Sequence, residues 1–163
     1  MNIEKIYIYA LQREFEGKRF FEQNADRLSH ATAVQAFRTL VGEEQKHIEF
    51  IQSQLEALER GEMPTLELGQ PSPESVFFVE RATSEMLDQT VAEAMVPDLP
   101  VLRMAFLIER DFAEFYEMAA QQAEGEARQV LSMLAHWERG HERLFKYLHD
   151  QAYANYTQMP WGG

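Results

Sequence analysis

The chain of 163 residues contains no cysteine. This absence excludes disulfides, thiolate catalysis, cysteine-ligated zinc and any iron–sulfur cluster held by the chain itself. Long hydrophobic runs are absent too, since no stretch approaches the roughly 20 apolar residues of a membrane-spanning helix. The first residues carry acidic side chains early and lack the layout of a signal peptide. We therefore expect a soluble, cytoplasmic protein without a membrane anchor.

Positive charge is scarce relative to negative charge. The chain has 15 Lys and Arg against 27 Asp and Glu, a formal net charge of −12. Such a protein is repelled by phosphate backbones and by anionic lipid, so we expect neither a nucleic acid nor a membrane surface as partner. Composition alone leaves open whether every acid lies on the surface or some lie inside.

Glycine and proline are also few, with eight and six residues, and their clustering favours long helices. Apolar residues recur with a period near 3.6 in four segments, about 3–28, 33–60, 99–123 and 126 to 153 or 156. Asn2, Thr32 and Asp98 are candidate N-caps of the first three helices. Gly61 and Gly125 stand where helix-ending glycines are expected.

The connections between these helices predict the architecture. The first and last turns are short, and residues 61–98 form one long crossover with an extra helix predicted at 73–95. This pattern is typical of an antiparallel four-helix bundle. We expect a single all-α domain over 1–163, with hairpin 1 at about 3–60 and hairpin 2 at about 99–156.

The two predicted hairpins are related by an internal repeat. An offset of 95 residues aligns the first helix with the third, and an offset of 94 aligns the second with the fourth. The coinciding pairs include Ala10/Ala105, Glu14/Glu109, Phe20/Phe115, Leu40/Leu134, Glu44/Glu138 and His47/His141. Amphipathic helices of similar composition always match to some degree. Two nearly equal offsets and repeated polar pairs favour a true repeat.

The repeat contains the motif Glu-x-x-His twice, as Glu44 with His47 and as Glu138 with His141. Residues i and i+3 share one face of a helix, so each motif can point a carboxylate and an imidazole at one centre. Alone the motif is a weak signal, because glutamate is common in this chain.

Helix heights supply the missing context. Glu14 lies about 15 residues before the first turn and Glu44 lies about 12 after it, which at about 1.5 Å per residue puts both at a similar height. Glu109 and Glu138 repeat this arrangement in the second hairpin. Six side chains are therefore predicted to meet in one layer near the middle of the bundle: Glu14, Glu44, His47, Glu109, Glu138 and His141.

Four carboxylates in a low-dielectric core are costly without countercharge, and two divalent cations would supply it. A glutamate from each of two helices plus Glu-x-x-His from each of the other two is the ligand set of di-iron and di-manganese carboxylate bundles. Oxygen and nitrogen donors without sulfur suit iron or manganese, and zinc can occupy such a site adventitiously. The alternative is that these acids are solvated and the histidines ordinary, in a metal-free helical scaffold.

At these residues the chain resembles the ferritin-like di-iron proteins, and specifically their rubrerythrin-like branch. Ala10-x-x-x-Glu14-x-x-Gly17-x-x-Phe20-Phe21 is similar to the first-helix signature of that branch. Residues 105–116 are similar to its third helix, and 43–47 to its second-helix motif. The resemblance covers about 5–60 and 100–150.

The resemblance implies a ferritin-like bundle that binds two iron ions and reacts with O2 or H2O2. The activity would be that of a ferroxidase- or peroxidase-type oxidoreductase in oxidative stress or iron handling. An alternative is an iron-binding or storage protein with little turnover. The resemblance also implies ligand roles, with Glu14 and Glu109 terminal or switching, Glu44 and Glu138 bridging, and one histidine on each ion. A homodimer or higher homo-oligomer is expected.

The chain departs from the family in two respects. Rubrerythrins commonly end in a rubredoxin domain with four cysteines, and this chain has none, so turnover would need an external electron donor. Phe112 stands where many of them carry an extra carboxylate, which favours oxidase or ferroxidase chemistry over peroxide reduction. Phe21 replaces a frequent tyrosine.

Tyr116 is the residue of the third helix that corresponds to Phe21, and here the tyrosine of the family pattern is present. It lies seven residues after Glu109 on the same face, so it is predicted to hydrogen-bond a ligand carboxylate. The alternative is an ordinary core aromatic. Other polar residues near these motifs are expected at the surface, outside the metal layer: His30, His136, His149, Glu43, Glu114, Glu117 and Glu142.

Overall fold

The computed structural model describes residues 2–62 and 93–160. It contains four long helices, α1 (Ile3–Ala25), α2 (Ala31–Glu59), α3 (Leu99–Gln122) and α4 (Gly125–Gln158), and a short 3-10 helix η1 (Val96–Asp98) directly before α3. No strand occurs in these two ranges. The prediction of an all-α four-helix bundle is confirmed. The helix predicted at 73–95 falls almost wholly outside the described residues.

The helices pack as two hairpins. α1 lies against α2 and α3 against α4, while α1 also contacts α3 and α2 contacts α4. Two apolar clusters fill the interior. One surrounds Phe21, Phe37 and Phe145, and the other surrounds Tyr7 and Leu131. A buried polar layer separates these two clusters, so charged side chains interrupt the apolar core near its middle.

Helix ends follow local hydrogen bonding, with one correction to the predicted caps. Oδ1 of Asn2 accepts a hydrogen bond from the Lys5 amide at 3.0 Å, as expected for the N-cap of α1. The predicted N-cap Thr32 is wrong, because α2 already begins at Ala31. Nδ1 of His30 accepts from the Thr32 amide at 3.1 Å, so His30 caps α2. α1 ends at Ala25, three residues before the predicted end.

Asp98 precedes α3 as predicted, but its carboxylate does not cap that helix. Its backbone is helical because η1 runs straight into α3, so it lacks the extended conformation of an N-cap. The side chain is instead 2 % exposed and accepts hydrogen bonds from the amides of Ser29 at 2.7 Å and His30 at 3.2 Å. Asp98 therefore ties the end of the crossover to the α1–α2 turn.

Two glycines adopt the left-handed backbone that other residues avoid. Gly61 has φ +69° just after α2, in the helix-ending role predicted for it. Gly125 has φ +58° and is the first residue of α4, so it forms the tight turn after α3. None of the helices in the described ranges combines the length and the apolar character required to span a bilayer.

Candidate metal centre

The six residues predicted to share a layer are all buried in the middle of the bundle. The four glutamates are 0 % exposed, and the two histidines are 3 % and 6 % exposed. Their donor atoms form two groups, each with all atoms within 4.8 Å of one another. One group is Glu14, Glu44, His47 and Glu138, and the other is Glu44, Glu109, Glu138 and His141. Glu44 and Glu138 belong to both.

Helix periodicity directs these side chains inward. The buried residues of α1 recur every three or four positions: Tyr7, Ala10, Glu14, Gly17, Phe21 and Ala25. Glu14 thus occupies an interior position between two small residues. Glu109 has the matching place in α3, on the face that also buries Ala105 and Phe112. The acids are interior because they lie on the apolar faces of their helices.

Both imidazoles present Nδ1 to the carboxylates. Nδ1 of His47 lies 2.8 Å from Oε1 of Glu138 and 3.2 Å from Oε2 of Glu14. Nδ1 of His141 lies 3.3 Å from Oε2 of Glu138 and 3.2 Å from Oε2 of Glu109. Each Glu138 oxygen therefore faces a different histidine, and this carboxylate lies between the two groups.

Several of these buried oxygens lack a hydrogen bond. Among the described residues, both oxygens of Glu44, both of Glu138 and Oε1 of Glu109 have no hydrogen-bond partner of acceptable geometry. An unsatisfied buried carboxylate oxygen is costly. Four carboxylates also outnumber two imidazoles, so even full protonation of both histidines leaves two unbalanced negative charges. A pair of divalent cations fits this donor set, because it would engage the free oxygens and supply the countercharge.

Burial and mutual repulsion raise the pKa values of two acids in this layer. Burial raises the pKa of Glu44 well above its usual range, and the neighbouring charges of Glu138, Glu14 and Glu109 raise it further. Burial also raises the pKa of Glu109 to about 8, although the hydrogen bond with His141 opposes that effect. Without metal, these carboxyls therefore hold protons at pH values where exposed glutamates have lost them.

The pKa values of the two histidines are raised and that of Glu138 is lowered, so these three groups favour their charged forms. Burial by itself would lower the pKa of His47, but Glu138 and Glu14 outweigh it and raise that pKa well above its usual range. The pKa of His141 is raised to about 9, since Glu109 and Glu138 outweigh the effect of burial. Burial favours the neutral form of Glu138, yet the two imidazoles hold its pKa well below its usual range. The metal-free layer therefore shares protons between acids and imidazoles.

Tyr116 lies directly beside this layer. Its hydroxyl donates a hydrogen bond to Oε1 of Glu14, and the side chain is 1 % exposed. Burial raises the pKa of Tyr116 well above its usual range, and the negative charge of Glu14 adds to the shift. The hydroxyl thus stays protonated and acts as a donor. The hydrogen bond is the contact predicted for Tyr116, whereas metal ligation by Glu14 stays a prediction.

Comparison with known families decides the family of this chain. The family model described as Rubrerythrin matches residues 5–149. The chain belongs to the rubrerythrin family. Members of this family are di-iron carboxylate proteins of the ferritin-like superfamily, and they are typically oligomeric. Neither the comparison with curated proteins nor the comparison with solved structures gave a match.

In this member of the rubrerythrin family, Phe112 closes the α1–α3 side of the layer. A Cβ added at Gly17 would lie 2.8 Å from Cε2 of Phe112 and 3.8 Å from Oε2 of Glu44. The Arg13 guanidinium lies 4.8 Å from the centre of the Phe112 ring, within cation–π range. Gly17 therefore makes room for an aromatic ring next to a candidate ligand, where the family resemblance implied an acid.

The sequence interpretation missed Trp137. Its indole stacks on the His47 ring, with centroids 5.0 Å apart and planes 12° apart. The one signal in the sequence was its position next to Glu138. That signal is weak, because the residue before a ligand usually points in a different direction on a helix. The contact depends on how α2 approaches α4, which local spacing does not specify.

The remaining polar residues lie outside the two donor groups. His136 is exposed as expected, whereas His149 is half-buried beside the rings of Phe106 and Tyr153. Glu117 keeps an exposed carboxylate that accepts hydrogen bonds from Arg139 at 2.8 and 2.7 Å, and this pairing lowers its pKa. The other acids expected at the surface are exposed or half-buried: Glu43, Glu114 and Glu142.

Proposed function

We propose that this chain is a di-iron carboxylate oxidoreductase that reacts with O2 or H2O2. The observation that carries the proposal is the pair of buried carboxylates shared by two donor groups, Glu44 and Glu138, whose four oxygens lack hydrogen-bond partners among the described residues. Both carboxylates lie within 3.7 Å of a histidine Nδ1, and these ion pairs still leave all four oxygens without a hydrogen bond of acceptable geometry. Membership of a di-iron family supports iron as the metal.

The proposed ligands follow from the two groups. Glu14 and His47 would hold one ion, Glu109 and His141 the other, and Glu44 and Glu138 would contact both. Manganese suits the same oxygen and nitrogen donors, and zinc would bind adventitiously. When bound, the two iron ions would supply the electrons that reduce O2 or H2O2.

The residues of the chain would prepare and protect this centre. The apolar clusters on either side of the layer keep water away from the buried carboxylates. Tyr116 holds Oε1 of Glu14, which limits the positions that this carboxylate can adopt. The protons on Nδ1 of His47 and His141 would leave as metal binds, since a ligand nitrogen needs a free lone pair.

Phe112 favours oxidase or ferroxidase activity over efficient peroxide reduction. Its buried ring occupies the α1–α3 side of the layer and offers no oxygen donor there.

The proposal also includes a homodimer or higher homo-oligomer, a cytoplasmic location and an external electron donor. The last part follows from the absence of cysteine in the 163 residues.

Metal analysis and anaerobic reconstitution followed by stopped-flow oxidation test the proposal. We expect about two iron ions per chain, rapid oxidation by O2 or H2O2, and repeated cycles when reductant is added. A single stoichiometric oxidation with retained iron would instead indicate storage. Failure to bind iron or manganese would contradict the proposal and support a metal-free scaffold.

A matched pair of variants localises the centre. Glu138→Ala removes a shared carboxylate and should abolish stoichiometric iron binding. Glu114→Ala removes an exposed acid of α3 outside both donor groups and should leave binding unchanged. Equal iron content in these two variants would contradict the proposed ligands.

A further inference from the structure

Three aromatic rings form a continuous stack that runs from the centre toward the surface. Trp137 stacks on His47 with centroids 5.0 Å apart and planes 12° apart, and His47 stacks on His141 at 5.4 Å and 16°. These distances lie within the range of direct ring contact. We call these three residues the ring stack. It joins one tryptophan to both histidines of the proposed centre.

Trp137 is the outer member of the ring stack. Its side chain is half-buried, whereas His47 and His141 are buried. Two further aromatic residues beside the carboxylates, Phe112 and Tyr116, are also buried, and the Tyr116 hydroxyl is engaged by Glu14. Trp137 therefore combines contact with a proposed ligand and access to the surface.

Packing rather than hydrogen bonding holds the indole in place. Phe50 stands edge-on to Trp137, with centroids 5.8 Å apart and planes 67° apart. Nε1 of Trp137 is buried and has no hydrogen-bond acceptor among the described residues. The indole therefore passes no proton to another described residue, and its contacts are those of a packed π system. An electron can tunnel through such a ring while the ring itself is neither oxidised nor deprotonated.

The centre needs such a route if it turns over. The 163 residues contain no cysteine and so hold no sulfur-ligated iron cluster, and the proposed donor is therefore a redox centre outside them. Electron tunnelling falls steeply with distance and passes more readily through packed atoms than across gaps. Apolar side chains surround the carboxylate layer on both sides, and the ring stack crosses this insulation by direct contact.

We propose that Trp137 is the electron port of the metal centre, through which an external one-electron donor reduces the oxidised ions. This inference rests on the proposed function. Each donor molecule loses one electron and one ferric ion gains it, so two transfers return both ions to the ferrous state. No bond of the protein forms or breaks in either transfer.

Anaerobic reduction of the iron-loaded, oxidised protein tests the port. Reduced methyl viologen serves as the donor, and loss of the near-ultraviolet absorbance of ferric iron is the readout in a single turnover. Trp137→Leu removes the outer ring and should slow this reduction by about tenfold or more, within the range found for changes around metal ligands. Trp137→Phe keeps a ring and should give an intermediate rate.

Phe106→Leu provides the matched control. It removes a half-buried ring of α3 that packs against His149 in the other apolar cluster, away from the ring stack. The reduction rate of this variant should stay within about twofold of wild type, on the scale of a few tenths of a kcal/mol. Wild-type reduction rates in Trp137→Leu would overturn the port. Equal slowing in Trp137→Leu and Phe106→Leu would overturn it too, because general loosening would then explain both. If Trp137→Leu loses iron, Trp137→Phe decides, and an unchanged rate there overturns the port.

Fluorescence gives a readout that does not depend on turnover. Trp161→Phe removes the other tryptophan of the chain, so the remaining emission reports Trp137 alone. We expect ferric iron to quench this emission strongly and redox-inert Zn2+ in the same site to quench it much less. Equal quenching by the two metals would contradict electron exchange between Trp137 and the centre.

The two proposals fail in distinguishable ways. A wild-type protein that binds no iron contradicts the proposed function. A wild-type protein that binds and oxidises iron, while Trp137→Leu is reduced as fast as wild type, contradicts the electron port alone.

Discussion

The hydroxyl of Tyr116 donates a hydrogen bond to Oε1 of Glu14, which lies 102 positions earlier in the chain. The other oxygen of Glu14 lies 3.2 Å from Nδ1 of His47. One carboxylate is therefore held by α3 through the tyrosine and by α2 through the histidine. This places Glu14 where the two hairpins meet and makes its position sensitive to a single hydroxyl.

Tyr116→Phe should weaken metal binding. The variant keeps the ring and its packing but leaves Oε1 of Glu14 without its donor, so the carboxylate is less well oriented toward a metal. We expect a loss of about tenfold in affinity, measured by competition with a chelator. Tyr153→Phe removes a hydroxyl from a tyrosine that is 51 % exposed and should bind metal as wild type does. Equal affinities in the two variants would contradict a role for the Tyr116 hydroxyl.

Removal of metal should lower the melting temperature. Metal binds the folded layer and neutralises its buried acids, so chelation withdraws a stabilising ligand. Glu138→Ala and His47→Ala should each abolish the difference between loaded and chelated protein, as measured by differential scanning calorimetry. Glu114→Ala, at an exposed site, should preserve it. The same metal-dependent shift in all variants would place the metal elsewhere.

The stability of the metal-free protein should fall as pH rises from about 5 to about 9. Burial raises the pKa of Glu109 from 4.5 to about 8, so the folded state retains a proton that the unfolded chain has released. His141 acts with the same sign, because its pKa rises from 6.5 to about 9. Both contributions are full below the unfolded pKa and are lost as pH passes the folded one. The lowered pKa of Glu138 acts oppositely, and its contribution is lost only in more acidic solution.

Urea unfolding at several pH values, with and without metal, measures this dependence. Metal binding displaces protons from the layer, so metal affinity should rise with pH while the stability of the metal-free protein falls. Glu109→Gln, which cannot ionise, should flatten the decline in the metal-free protein. A metal-free protein whose free energy of unfolding increased over this pH range would disprove the assignment.

Gly17→Ala should destabilise the protein by about 1–3 kcal/mol, since the added methyl would overlap the Phe112 ring at 2.8 Å. Phe112→Leu in the same chain should recover part of that loss by vacating the space. Gly42→Ala is the control, because a Cβ there meets nothing within 4 Å, and alanine should stabilise α2 by up to about 1 kcal/mol. In thermal melts the transition should therefore move down for Gly17→Ala, down by less for Gly17→Ala with Phe112→Leu, and up for Gly42→Ala. A neutral Gly17→Ala would show that Phe112 is not tightly held.

Much of the fold and of the candidate site could be predicted from residue spacing. Helical periodicity is a local property, so the four helices, the repeated Glu-x-x-His motifs and the common height of Glu14 and Glu44 follow from counting residues. The predicted helix ends were less accurate than the predicted helices. Thr32 was a reasonable cap by residue type, but a ring nitrogen of His30 takes that place, and Asp98 binds a distant turn.

The tertiary structure decided what depends on helix approach. Spacing along one helix cannot show which face of α4 meets α2, so the stack of Trp137 on His47 was invisible before the helices were packed. The same holds for the insertion of Phe112 beside Gly17 and for the orientation of both Nδ1 atoms toward Glu138. The absence of cysteine and the excess of acids were clear from composition. That four of those acids are buried together, three of them with carboxylate oxygens that lack a hydrogen bond, is a consequence of bringing two hairpins together.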